Sequence, residues 1–244
     1  MSKLSVVLLG GLLCVQVVGA ATFDWDDVTW TNGATSGTFT NVDGSGVDVS
    51  INISGGSFLS GYPQTNTANT GGFSNPGDSL QLFINESGQW SGMDVTITFS
   101  QPVENLSLTL FDVDVGPRAN NNRRTFQDIV IFNTTPDNLT TSADNAAYAG
   151  YFVYGTGEND SNQGGGNVYA TYNEAMTSVS FFYGSGWNTQ NNPAQQAISL
   201  YDFTFTPTVV PEPGTICFGV ALCVLAGIEV MRRRNSNDVS ECNV

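Results

Sequence analysis

Asp112 and Asp114 are the residues best placed to do chemistry in this sequence. They follow Leu106, Leu108 and Leu110 at the same alternate spacing. A strand that turns three leucines to a core turns these two carboxylates the same way. Like charges on one pleat repel. A Ca2+ ion relieves that repulsion, because it gathers six to eight oxygens from carboxylates and backbone carbonyls. Asp128 joins them if the next strand runs alongside. The alternative is a pair of aspartates in water at a strand end. Residues 158–164 (Glu-Asn-Asp-Ser-Asn-Gln-Gly) also set oxygens at alternate positions before a glycine, but lack the closing glutamate of an EF-hand. A solvated loop accounts for them equally. Arg118, Arg123 and Arg124 share one Asn-rich stretch. Either they grip the carboxylates of an acidic polysaccharide, for which guanidinium has the matching fork, or they neutralise the chain's own aspartates. Tyr62, Trp90 and Trp187 lie in or beside Gly/Asn/Ser/Pro-rich segments, outside strand alternation. Flat rings take up sugar C–H faces, so these three are the candidate carbohydrate-binding residues, with core packing as the alternative for each.

The absences narrow the chemistry further. The chain has no His, and its one Lys is Lys3. Cys14, Cys217, Cys223 and Cys242 all lie towards the two ends. The middle therefore has no imidazole base, thiol nucleophile or Schiff-base lysine, and no zinc site of His and Cys. A glycosidase-type carboxyl pair remains open, with two groups about 5–5.5 Å or 6.5–9.5 Å apart across a cleft. No motif pairs Glu86, Glu104, Glu158 or Glu174 for that work. Between residues 22 and 210, three arginines against 18 acids leave a net charge of −15. Nucleic acid is excluded as a partner, since it needs a cationic face.

The elements that must position these residues are strands. Val47, Val49, Ile51 and Ile53 alternate with polar residues, as do Met93, Val95, Ile97 and Phe99, then Leu106, Leu108 and Leu110. Further strands are expected over 23–30, 37–42, 80–85, 126–133, 150–155, 168–172, 179–183 and 198–205. Period-two patterning with a polar outer face means half-buried antiparallel strands. The fold class is all-β, an antiparallel β-sandwich. Residues 100–104, with Pro102, read as a turn joining two of the best strands. Four long connections remain, at 54–78, 116–125, 156–167 and 184–196. Connections of that length in a compact domain usually carry function or disorder.

The two ends carry targeting signals. Residues 1–21 read as a signal peptide, with Lys3, an apolar run and small residues at 18–21. At the other end Pro211, Glu212 and Pro213 precede an apolar run over 215–231 and then Arg232, Arg233 and Arg234. The run suffices for a short transmembrane helix, and the arginines keep the tail inside. This arrangement resembles the PEP-CTERM sorting signal of bacteria that secrete exopolysaccharide. The resemblance implies an exosortase-type sorting enzyme as partner, transient membrane anchoring, removal of the tail and delivery to the cell surface or matrix. Glu229 within the run and the ten residues after the arginines depart from the usual pattern. Residues 99–114 resemble a stretch of bacterial surface and matrix proteins in which a strand, a Pro turn and a second strand end in an aromatic-Asp-x-Asp motif. That likeness implies a jelly-roll-like sandwich.

The expected organisation is a signal peptide (1–21), an exported sandwich (22–206), a linker with the sorting motif (207–214), a transmembrane helix (215–231) and a basic cytoplasmic tail (232–244). The expected function is non-enzymatic: an exported surface or extracellular-matrix protein, structural or binding extracellular polysaccharide, with Ca2+ as candidate cofactor. The alternatives are a secreted glycoside-processing enzyme using an Asp/Glu pair, and an adhesin or fibre subunit.

Overall fold

The computed structural model describes residues 19–119 and 122–208. The sorting motif Pro211–Pro213, the apolar run and the arginines after it lie outside the described residues, as do residues 1–18 of the expected signal peptide. Among the described residues no helix is long and apolar enough to cross a membrane.

Fourteen strands and two single-turn 3₁₀ segments make up the regular structure of the described residues. In chain order the strands are β1 (Ala21–Phe23), β2 (Ser36–Phe39), β3 (Val49–Gly55), β4 (Gln64–Asn66), β5 (Ser79–Ile84), β6 (Gly92–Phe111) and β7 (Asp128–Phe132). They continue as β8 (Asn138–Thr141), β9 (Asn145–Tyr148), β10 (Phe152–Gly155), β11 (Val168–Tyr172), β12 (Met176–Ser185), β13 (Gln196–Leu200) and β14 (Phe203–Pro207). Every pairing of these strands is antiparallel. The fold is all-β, as the alternation requires. The weakly patterned β4, β8 and β9 escape the sequence reading, and the expected strand over 198–205 divides into β13 and β14.

β6 organises the rest. Its first half pairs with β3 on one side and β12 on the other. Its second half pairs with β11 on one side and with β14 and then β13 on the other. One strand thus belongs to two sets of neighbours, an arrangement consistent with a β-sandwich. The turn expected at residues 100–104 is a bend inside this single strand. Met93, Val95, Ile97, Phe99 and Val103 are buried at odd positions, and Leu106, Leu108 and Leu110 at even ones. Asn105 accounts for the change of parity. It takes a left-handed φ of 52°, and the register against β14 slips there by one residue. A bulge of this kind turns every later side chain to the other face, so both halves of β6 bury their apolar residues. Asn is among the few residues that accept this conformation at low cost.

The core is continuous along these strands and rich in rings. Phe23 stacks on Phe203 with centroids 4.6 Å apart. Trp25 and Trp30 meet edge to face at 6.0 Å. Both tryptophans are buried.

Candidate functional site

The four long connections meet one another through hydrogen bonds. Thr70 N–H donates to Ser161 O at 2.9 Å, and Asn167 Nδ2 donates to Gly71 O at 2.9 Å. These join the first connection to the third. Arg124 pairs with Glu158 at 2.7 Å and joins the second to the third. Arg124 N–H to Asn188 O, Ala194 N–H to Thr125 O and Arg123 Nη1 to Thr189 O join the second to the fourth. Long loops that bond to each other hold side chains in place far better than loops in water.

The three candidate aspartates lie beneath this cluster. β6 ends at Phe111, and Asp112 takes a left-handed φ of 70°. The leucine alternation therefore stops before the aspartates. Asp112 is largely buried, while Asp114 and Asp128 are 4% and 0% exposed. Neither of the last two is a strand-end residue in water. Asp128 Oδ1 accepts from the Tyr183 hydroxyl at 3.0 Å, and its Oδ2 from the Asp114 N–H at 3.2 Å. Asp114 Oδ2 accepts from the Asn159 N–H at 2.8 Å. Burial, then mutual repulsion, holds the Asp114 and Asp128 carboxyls well above the usual range. Burial lifts Asp112 to about 6. As folded, this group favours bound protons.

The same crowding would be relieved by a cation, and the fit to one is partial. Three of the six aspartate oxygens already accept hydrogen bonds. Among the described residues no three His, Cys, Asp or Glu side chains converge on one ion position. Two buried oxygens beside the aspartates, Asp112 Oδ1 and Asn159 Oδ1, have no donor. The loop of residues 158–164 spends most of its polar groups on itself and its neighbours. Asn159 Nδ2 donates to Asp160 O and Gln163 O, and Glu158 meets Arg124. Arg118 donates to the Asn122 backbone and side-chain oxygens. Arg124 has found Glu158 instead of the aspartates.

The aromatic candidates divide. Trp90 and Trp187 come together in an offset stack, centroids 5.9 Å apart and planes 23° apart, although 97 positions separate them in sequence. They are 54% and 41% exposed. Phe152 lies 6.4 Å from Trp90 and 5.8 Å from Trp187, and Tyr154 lies 4.9 Å from Trp187. Tyr62 makes its ring contact elsewhere, with Phe83 on β5 at 5.2 Å. Phe152 and Tyr154 were not singled out by sequence reasoning. Their signal is the aromatic pair at alternate positions of β10, with Val153 buried between them.

The backbone behind this patch explains how it is held. Phe152, Ile131 and Phe182 lie in register across β10, β7 and β12, on the face opposite the buried Val130, Phe181 and Tyr183. The Phe182 ring covers Gly92 and Gly184, where added Cβ atoms would fall 2.8 Å and 2.7 Å from its tip. Trp90 adopts a left-handed φ of 62° and is tied by its N–H to Ser185 O at 2.7 Å. A bulky residue in that conformation is a true outlier, and such strain is concentrated where geometry serves function.

No protein-family model matches this chain, and no curated protein matches it. Among solved structures it is similar to glucan-binding protein C of Streptococcus mutans, at 11% identity and a TM-score of 0.37 over 73% of this chain. It is also similar to the N-terminal domain of a Streptococcus gordonii adhesin, at 12% identity and a TM-score of 0.36 over 81% of this chain. The matches cover 62% and 58% of those two chains.

Proposed function

We propose that this chain is an exported, non-enzymatic surface or matrix protein that binds polysaccharide through the exposed ring cluster of Trp90, Trp187, Phe152 and Tyr154. The observation that carries the reading is the cluster itself: two tryptophans about half in water, stacked with two further rings beside them. Aromatic ring surface left in water in this way matches the C–H faces of sugars. The protein in this reading is a jelly-roll-like sandwich delivered by a PEP-CTERM-type signal at residues 211–234, with an exosortase-type enzyme as its processing partner.

The enzymatic alternative has less support. Asp114 and Asp128 have the raised proton affinity of a general acid, but at 4% and 0% exposure they are closed to a substrate. Calcium remains part of the proposal at Asp112, Asp114 and Asp128, supported by the unpartnered oxygens of Asp112 and Asn159. The three aspartate side chains do not converge on one ion position as folded and would have to turn to hold it. Retention of the exported protein on the producing cell's own exopolysaccharide, with and without EDTA, tests the reading. Release of reducing sugar from that material would replace it with the enzymatic one.

A further inference from the structure

The charges around the ring cluster bear on which polysaccharide it would take. On the face of the sheet that carries Phe182, Ile131 and Phe152, the next residue in register is Asp94, exposed and on β6. Asn133 Nδ2 donates to its Oδ1 at 3.2 Å. Each tryptophan is flanked in sequence by an amide. Gln89 precedes Trp90 and bonds to Thr189 O, and the exposed Asn188 follows Trp187. The three arginines of the neighbouring connection all bond within the chain, but among the described residues only Arg124 does so with a carboxylate, so Arg118 and Arg123 keep their charge. Arg124 pairs with Glu158, Arg118 donates to Asn122, and Arg123 donates to Thr189 O. The surface thus offers ring surface, neutral amides, the Asp94 carboxylate and, in the neighbouring connection, the Arg118 and Arg123 guanidiniums. Residues 22–210 of the domain carry −15 and so set a negative field overall. Amides pair with hydroxyls as donors and acceptors alike. A uronate or sulfate on the ligand would meet Asp94 and the field of the whole domain.

We propose that this face binds an uncharged polysaccharide chain, its sugar C–H faces laid on the Trp90–Trp187 stack and the Phe152–Tyr154 pair, and disfavours acidic chains. The proposal rests on the polysaccharide-binding reading and names its ligand class. Trp90 is part of the device. The left-handed backbone that carries it is one that glycine adopts freely, so Trp90→Gly removes the ring while easing the chain.

The test is retention of the exported protein by three soluble neutral glycans (mixed-linkage β-glucan, glucomannan and dextran) and by two acidic ones (alginate and hyaluronan). Ionic strength is varied from about 50 mM to about 500 mM, across which exposed charges become screened. Retention by at least one neutral glycan, unchanged by salt, is expected. Trp187→Ala should weaken it roughly threefold to tenfold. Trp90→Gly should weaken it similarly while melting no lower than the parent. Equal or stronger retention by alginate or hyaluronan overturns the uncharged-ligand claim and leaves polysaccharide binding standing. Retention by none of the five overturns both. Neutral retention that survives both substitutions places the ligand on another face. Concentration-dependent self-association lost in Trp187→Ala makes the rings a contact between copies, and overturns both.

Discussion

Asp202 shows how far one partly buried carboxyl can tilt the stability of this acidic chain. Its Oδ1 accepts the Trp25 N–H at 3.0 Å. Burial, then repulsion from Asp24 and Asp26, pushes its carboxyl up to about 6. The folded chain holds that proton more tightly than the unfolded one. Its contribution is therefore fully present below about pH 4 and is lost as pH rises through about 6. Asp202→Asn keeps the acceptor and removes the charge. A two-unit shift corresponds to at most about 3 kcal/mol. The group is only partly buried, so about 1 kcal/mol is the expected gain at pH 7. That raises Tm by about 2–4 °C at pH 7 and leaves it unchanged at pH 4. Melting curves at the two pH values check this, and an equal shift at both would trace the effect to packing. Nothing near position 202 in sequence foretells the shift, because Trp25 and Asp24 reach it only through the pairing of β1 with β14.

At the scale of elements, β10 depends on a close crossing. A Cβ at Gly155 would fall on the backbone carbonyl of Asp114, which cannot swing aside because its oxygen accepts the Asp128 N–H at 3.0 Å. Gly155→Ala should cost about 1–3 kcal/mol, the usual cost of overpacking. Gly88→Ala, with open space around the added methyl, should stay within about 0.5 kcal/mol. Denaturant unfolding of the two variants makes the comparison. Calcium is tested on the same part of the molecule. If Ca2+ binds Asp112 and its neighbours, a hundredfold excess over Kd stabilises by about 2.7 kcal/mol. Millimolar Ca2+ added to metal-stripped protein should then raise Tm by several degrees, and Asp112→Asn with Asp114→Asn should remove the effect. A melt indifferent to Ca2+ and EDTA would leave the aspartates as structural residues that hold no cation. The leucine stripe of residues 106–110 was legible as a strand because burial imposes period two. The departure of the chain at Asp112 was not, because a single left-handed residue leaves no periodic trace.

For the whole molecule, the expectation that reaches furthest concerns sorting. If residues 211–234 act as a PEP-CTERM-type signal, surface material should end near Pro213. C-terminal peptide mapping checks this, and recovery of peptides containing Cys242 from the cell exterior would count against it. Replacing Arg232, Arg233 and Arg234 by Asn should weaken membrane retention and orientation, because positive charge sets topology.

The sequence by itself determined the class of this protein. Alternation of apolar and polar residues made it all-β, and the lack of His and of central Cys and Lys removed most catalytic chemistry. Both follow from local composition and from the two-residue period of a strand. It also named Trp90 and Trp187, which stand out as rings set among loop residues. Only the tertiary structure decided that these two rings meet, that Phe152 and Tyr154 join them and that Tyr62 packs elsewhere on Phe83. It likewise decided that Asp114 and Asp128 lie in the interior. Such outcomes depend on which strands become neighbours. A twenty-residue strand that changes partners at one bulge brings together residues far apart in the chain, and no local pattern records that choice.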